Sequence, residues 1–198
     1  MVPTPDAGPA VTLGSRPPPQ LGLMVNLGQF ALLVGMNGLV GAMVGQERTL
    51  VPLIASKSFA IATVTAALSF LVAFGLAKAF TNLLAGALAD RYGRRPVLFW
   101  GWVIALPVPL LLALSPTWAG VIAANALLGV SQGLTWSMTV LMKIDLVGPR
   151  MRGLALGLNE AAGYVAVGLS ALTTGLVAEH LGLRPAPFLI GLAICGLG

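Results

Sequence analysis

From Pro96 to Met142 no residue carries a charge. A helix rises about 1.5 Å per residue and the hydrocarbon layer of a bilayer is about 30 Å thick, so one crossing takes roughly 20 apolar residues. The stretch is too long for a single crossing and must fold back on itself. Ser115-Pro116-Thr117-Trp118 marks the hairpin, since proline ends a helix and tryptophan prefers the membrane interface. Composition agrees that lipid is the solvent: 57% of the 198 residues are hydrophobic and 9% charged, against about 25% charged in a soluble domain.

The same criterion divides the rest of the chain. An apolar run over 21–45 ends at Gln46, Glu47 and Arg48, and a polar loop continues through Lys57. A second run covers 59–84, interrupted by Lys78. Further runs cover 97–114, 118–141, 154–177 with Glu160 inside it, and 187–198, which is short for a crossing. Pro107 and Pro109 predict a kink in the third. The expectation is an all-α, polytopic membrane protein with six transmembrane helices forming one half-domain over 21–198. Residues 1–20 hold Pro3, Pro5, Pro9, Pro17, Pro18 and Pro19, lack the pattern of a secretory signal, and read as a disordered cytoplasmic tail.

Basic residues set the orientation. With the amino terminus in the cytoplasm, Arg16, Arg91, Arg94, Arg95, Lys143, Arg150 and Arg152 lie inside, and Arg48, Lys57 and Arg184 fall in outside loops. This is the bias expected of a multi-pass protein of the cell membrane.

Several functions are excluded by what the chain lacks. The net charge of +5 sits at the ends of apolar runs rather than in a stripe that could follow phosphates, so nucleic acid is not a partner. One cysteine, Cys195, and one histidine, His180, cannot build a metal site or a nucleophilic triad, so neither an enzyme nor a cofactor is expected.

An internal echo joins Gly86-Ala87-Leu88-Ala89-Asp90-Arg91-Tyr92-Gly93-Arg94-Arg95-Pro96 to Gly175-Leu176-Val177-Ala178-Glu179-His180-Leu181-Gly182-Leu183-Arg184-Pro185, offset by 89 residues. Each copy closes the second helix of a three-helix unit. An odd number of crossings separates them, so the copies face opposite sides of the membrane as two inverted repeats. Coincidence in an apolar sequence accounts for shared glycine and alanine; the matching acid, arginine and proline are harder to attribute to it. Gly41-x-x-x-Gly45, Gly129-x-x-x-Gly133 and Gly153-x-x-x-Gly157 are expected to be helix-packing seams.

Gly86-x-Leu88-Ala89-Asp90-Arg91-x-Gly93-Arg94-Arg95-x-x-Leu98, in the loop between the second and third helices, resembles the signature of the major facilitator superfamily. Gly86 would permit close helix approach and Gly93 a tight turn. The resemblance implies an amino-terminal six-helix half. In the family the motif aspartate, here Asp90, faces a helix of the second half. The following arginine, here Arg94, pairs with an acid at the end of the fourth helix, here Asp145. The segment from Asp145 through Arg150, Arg152, Gly153 and Gly157 is similar to the family's fourth-to-fifth connection. Such a cluster would act as a gate latch, paired when the transporter opens outward. Asn125 stands where drug–proton exchangers carry arginine, and no proline follows Gly163 before Gly175, which argues against that branch.

A charge at the bilayer centre costs about 2.5–3.5 kcal/mol, so Lys78 and Glu160 must face a partner or a water-filled cavity. Two readings stay open. They form a structural ion pair between the second and fifth helices, or Glu160 carries a proton while Asn37, Asn82, Gln132 and Asn159 line a solute path. The leading function is a secondary transporter of a small solute, with proton coupling as one form of it; the alternative is a non-transporting membrane half-protein that binds or regulates. Its partners would be the lipid bilayer, the solute, and either a missing carboxy-terminal six-helix half or a second copy.

Overall fold

In the computed structural model, residues 21–198 are described, and all regular structure among them is helical. The tail expected over 1–20 lies outside the described residues. The helices are α1 Leu27–Phe59, α2 Val64–Ala67, α3 Ser69–Tyr92, α4 Arg94–Ala105, α5 Pro107–Leu114, α6 Trp118–Val147, α7 Arg152–Leu181 and α8 Ala186–Leu197. Four spans are long and apolar enough to cross a membrane: Leu27–Phe59, Ser69–Tyr92, Arg94–Leu114 and Arg152–Leu181. Helix α6 is as long as α7 but interleaves Asn125, Ser131, Gln132, Thr135 and Thr139, all buried in the bundle. Helix α8 has 12 residues.

The rods alternate in direction, as contacts at their two ends show. At one end Gly22 N–H donates to the Leu146 carbonyl, and Arg94 donates to that of Leu141. At the other, Trp118 Nε1 donates to Ser69 Oγ at 3.0 Å and its ring meets Phe59 edge-on. These are called the Arg94 end and the Trp118 end below.

The first helix departs most from expectation. It does not stop at Gln46 but runs on through Glu47, Arg48, Pro52 and Lys57 to Phe59. The reason is burial: Gln46 and Glu47 are 0% and 2% exposed, on the same face as Met43, Leu50 and Ile54, so the polar cluster is a bundle face rather than a loop. Arg48 is therefore inside a helix and not in an outside loop. The turn comes later, where Ala60 takes a left-handed conformation (φ 51°) and Thr63 caps α2 by accepting from Ala66 N–H. The second long helix accordingly covers Ser69–Tyr92 instead of 59–84. The proline pair leaves only a local irregularity at Leu106, between α4 and α5, whose backbone stays helical (φ −50°, ψ −46°) so that Arg94–Leu114 forms one span.

Two diagonal seams hold the bundle, α1 against α7 and α3 against α6. A Cβ on Gly41 would strike the Gly163 carbonyl, and one on Gly45 the Val167 carbonyl and Ser170. A Cβ on Gly129 would strike the Phe74 carbonyl, and one on Gly133 would strike Thr81 and come close to the Lys78 carbonyl. Positions of the first seam recur in the second at offsets of 88 and 89 (Gly41 with Gly129, Gly163 with Phe74, Val167 with Lys78). The repeat is thus present in packing as well as in sequence. Gly93 and Gly182 close α3 and α7 with φ of 86° and 87°, a region that favours glycine. The pair Gly153 and Gly157 meets no neighbour and forms no seam among the described residues.

Candidate functional site

The signature residues gather at the Arg94 end. Gly93 turns the chain from α3 directly into α4, which puts Arg94 at the first position of α4, opposite the last turns of α6. Arg94 forms an ion pair with Asp145, the one ion pair among the described residues, and its Nη1 also donates to the Leu141 carbonyl at 3.1 Å. Both side chains are partly exposed, at 32% and 53%, so the pair contributes little to stability and can break and reform. A cavity of about 520 Å³ opens beside it, lined by Gln29, Leu33, Arg94, Arg95 and Asp145. Asp90, Arg95 and Arg152 are exposed, and Arg91 stacks on the neighbouring Tyr92 ring. Gly86 faces out of this bundle: among the described residues a Cβ there would meet nothing within 4 Å.

A polar network occupies the middle of the bundle. Asn37 of α1 donates from Nδ2 to the Asn159 carbonyl at 2.7 Å and accepts from Thr139 Oγ1 at 3.0 Å. Lys143 Nζ donates to Asn159 Oδ1, and Asn159 Nδ2 donates to Glu160 Oε1 at 3.1 Å. The same carboxylate oxygen accepts from Trp136 Nε1 at 2.9 Å. Lys78 does not pair with Glu160; its ammonium lies over the Trp136 ring at 4.6 Å from the centroid, a contact of about 0.5–2 kcal/mol. The indole thus stands between cation and anion, binding one by its face and the other by its N–H.

The sequence-selected polar residues do not all belong to this network. Gln132 is buried and donates to the Val40 carbonyl at 2.7 Å, tying α6 to α1. Asn82 sits on the exposed side of α3 and accepts from Ser137 Oγ at 3.1 Å. Sequence reading missed Trp136, Thr139 and Lys143 as members, and placed Arg48 in an outside loop rather than at the site. The signal for Trp136 was its place one helical turn beyond Gln132 on an uncharged helix. Arg48 lies over the Phe74 ring at 5.2 Å, and Lys78 lies over the same ring at 5.7 Å. Among the described residues no three acids, cysteines or histidines gather as a metal site would require.

A model of the Major Facilitator Superfamily matches residues 25–198. The chain belongs to this superfamily. A curated human relative, solute carrier family 2, facilitated glucose transporter member 10, is 32% identical over 104 residues, which is 52% of this chain. The match spans 19% of that relative's length. A multi-pass, all-α membrane protein of the Major Facilitator Superfamily is therefore established.

Proposed function

We propose that this chain is one six-helix half of a secondary transporter that moves a small solute by alternating access. The observation that carries the reading is the Arg94–Asp145 pair, set at one end of a bundle built from two inverted copies of the same seam. Inverted copies of one packing unit can take up opposite conformations around a central site. A partly exposed ion pair beside an open cavity makes a latch for one of those conformations. The amino terminus and the latch are cytoplasmic in this reading, in a cell membrane, and α6 and α8 complete six crossings. The solute path lies between this bundle and a second six-helix unit, supplied by the rest of a longer polypeptide or by a second copy. The glucose-transporter relative supports a small-solute carrier as the class. Proton coupling falls to Glu160: Trp136 and Asn159 meet at its Oε1, so a proton arriving there rearranges the contact that Trp136 makes with Lys78.

The test is uptake into proteoliposomes holding the whole polypeptide, screened with a mixture of small metabolites and read by mass spectrometry. We expect at least one solute to enter above protein-free vesicles, more slowly with Arg94→Ala or Asp145→Ala, and without pH dependence in Glu160→Gln. No solute entering, or rates unchanged in both latch variants, overturns the reading. Glu160→Gln uptake that stays pH-dependent removes the proton role alone.

A further inference from the structure

The charges at membrane depth do not balance on both sides of Trp136. Toward the Arg94 end, Lys143 is joined to Glu160 through the amide of Asn159, one cation to one anion. Arg48 and Lys78 have no such hydrogen-bonded link to an acid; the attraction of Glu160 reaches Lys78 only across the Trp136 ring. They are brought together by Phe74: both cations lie over its ring, from α1 and from α3. Neither forms an ion pair among the described residues. Glu47 is next to Arg48 in sequence, but it is 2% exposed and belongs to the buried face of α1, whereas Arg48 is exposed. Its Oε1 has no hydrogen-bond partner among the described residues, and although the carboxyl feels the charge of Arg48 through space, no ion pair joins them.

Depth makes this imbalance significant. Arg48 lies about 16 Å along α1 from Phe59, and Lys78 about 14 Å along α3 from Ser69, at the rise of a helix. Both are near the middle of a 30 Å layer, where an uncompensated charge is expensive and marks an ion or substrate path. Aromatic contact orients the two groups without neutralising them. Arg48 is exposed and Lys78 half-buried, so their donors are open to a ligand arriving from the face of the bundle. A guanidinium fork and an ammonium side by side match the oxygens of a carboxylate or a phosphate.

We propose that Arg48 and Lys78 are the anion-recognition pair of the transport path, and that the solute is a small organic anion bearing a carboxylate or phosphate group. The proposal rests on the transporter reading above and narrows its substrate class. Neutralisation by the solute would also link binding to Trp136, since the ammonium that meets the anion is the one stacked on that ring.

The whole polypeptide, purified in detergent, is titrated with succinate, glucose 6-phosphate, inorganic phosphate, glucose and tetraethylammonium at matched ionic strength. Thermal midpoint and tryptophan emission are followed, with Trp136→Phe identifying the emission of that ring. An anion is expected to raise the midpoint and shift the emission, while glucose and tetraethylammonium do neither. Arg48→Gln and Lys78→Gln should each raise the half-saturating anion concentration at least ~10-fold, and Lys78→Arg by less than ~3-fold. Should Arg48→Gln fail to fold, Arg48→Lys and Lys78→Gln decide the matter. Saturation by glucose or tetraethylammonium alone overturns the proposal, and so does an anion response that both variants keep. The same variants in phosphatidylcholine vesicles with and without phosphatidylglycerol separate a lipid headgroup from a solute. A response to phosphatidylglycerol that soluble anions cannot reproduce assigns the pair to lipid and sinks the solute class. Uptake of a neutral solute leaves the transporter intact and removes this proposal, whereas anion binding with no uptake of any solute removes the transporter reading.

Discussion

The two repeated halves of the bundle are alike in packing and different in charge. In both, a Gly-x-x-x-Gly face presses on a neighbouring helix so closely that a side chain would strike its backbone, and in both the second long helix ends in a glycine of almost the same φ. The chemistry diverges at equivalent places. Arg94 pairs with Asp145, but the residue 89 positions on is Leu183, which cannot. Arg184, matching Arg95, instead donates to the Ser115 carbonyl at 2.8 Å and lies over the Phe59 ring, and burial holds its pKa below the usual arginine value. Asn37 links α1 to α6 and α7, while its counterpart Asn125 bonds only within its own helix, to the Val121 carbonyl. Shape is thus kept by small residues in both copies, and polar residues are free to specialise one of them.

Substitutions in matched pairs probe that division. Gly41→Val and Gly129→Val should each destabilise by about 3 kcal/mol or more, through forced contact with a backbone carbonyl. Thermal unfolding in detergent would reveal it, and collapse of one variant with survival of the other would mean that the seams are not equivalent. Asn37→Leu should cost about 1–3 kcal/mol by removing its bonds to Thr139 and to the Asn159 carbonyl, and Asn125→Leu under ~1 kcal/mol. At the closing turns, Arg184→Ala should cost about 1–2 kcal/mol through its lost carbonyl and ring contacts. Arg94→Ala should cost under ~1 kcal/mol and act on transport rate instead; equal stability losses would erase the distinction between clamp and latch. The smallest effects belong to Gly75→Ala in α3 and Gly168→Ala in α7, whose Cβ positions meet nothing within 4 Å. Each should be neutral or stabilising by up to ~1 kcal/mol, since alanine is the better helix former.

The membrane class, the hairpin at Pro116 and the inverted repeat were legible because lipid imposes a length on apolar runs and because glycine, acid and proline recur at a fixed interval. The end of the first helix was not. A Gln-Glu-Arg cluster reads as an interface when exposure is unknown, and only the packing of α8 over α1 reveals that Gln46 is covered: a Cβ on Gly191 would meet its amide. The relation of Lys78 to Glu160 was hidden for a similar reason. Their depths match, and opposite charges at one depth suggest contact, but the Trp136 ring that intervenes comes from a third helix and has no charge to announce it.

The diagonal seams impose an order on synthesis. The partner of α1 is α7, and Arg152 leaves the ribosome ~5–20 s after Phe59 at ordinary rates of elongation. Until then the grooved face at Gly41 and Gly45 has only lipid or a temporary protein companion against it. The amino-terminal repeat is therefore inserted before it can be assembled, and nascent chains halted short of Arg152 are the ones that membrane quality control should find unfinished.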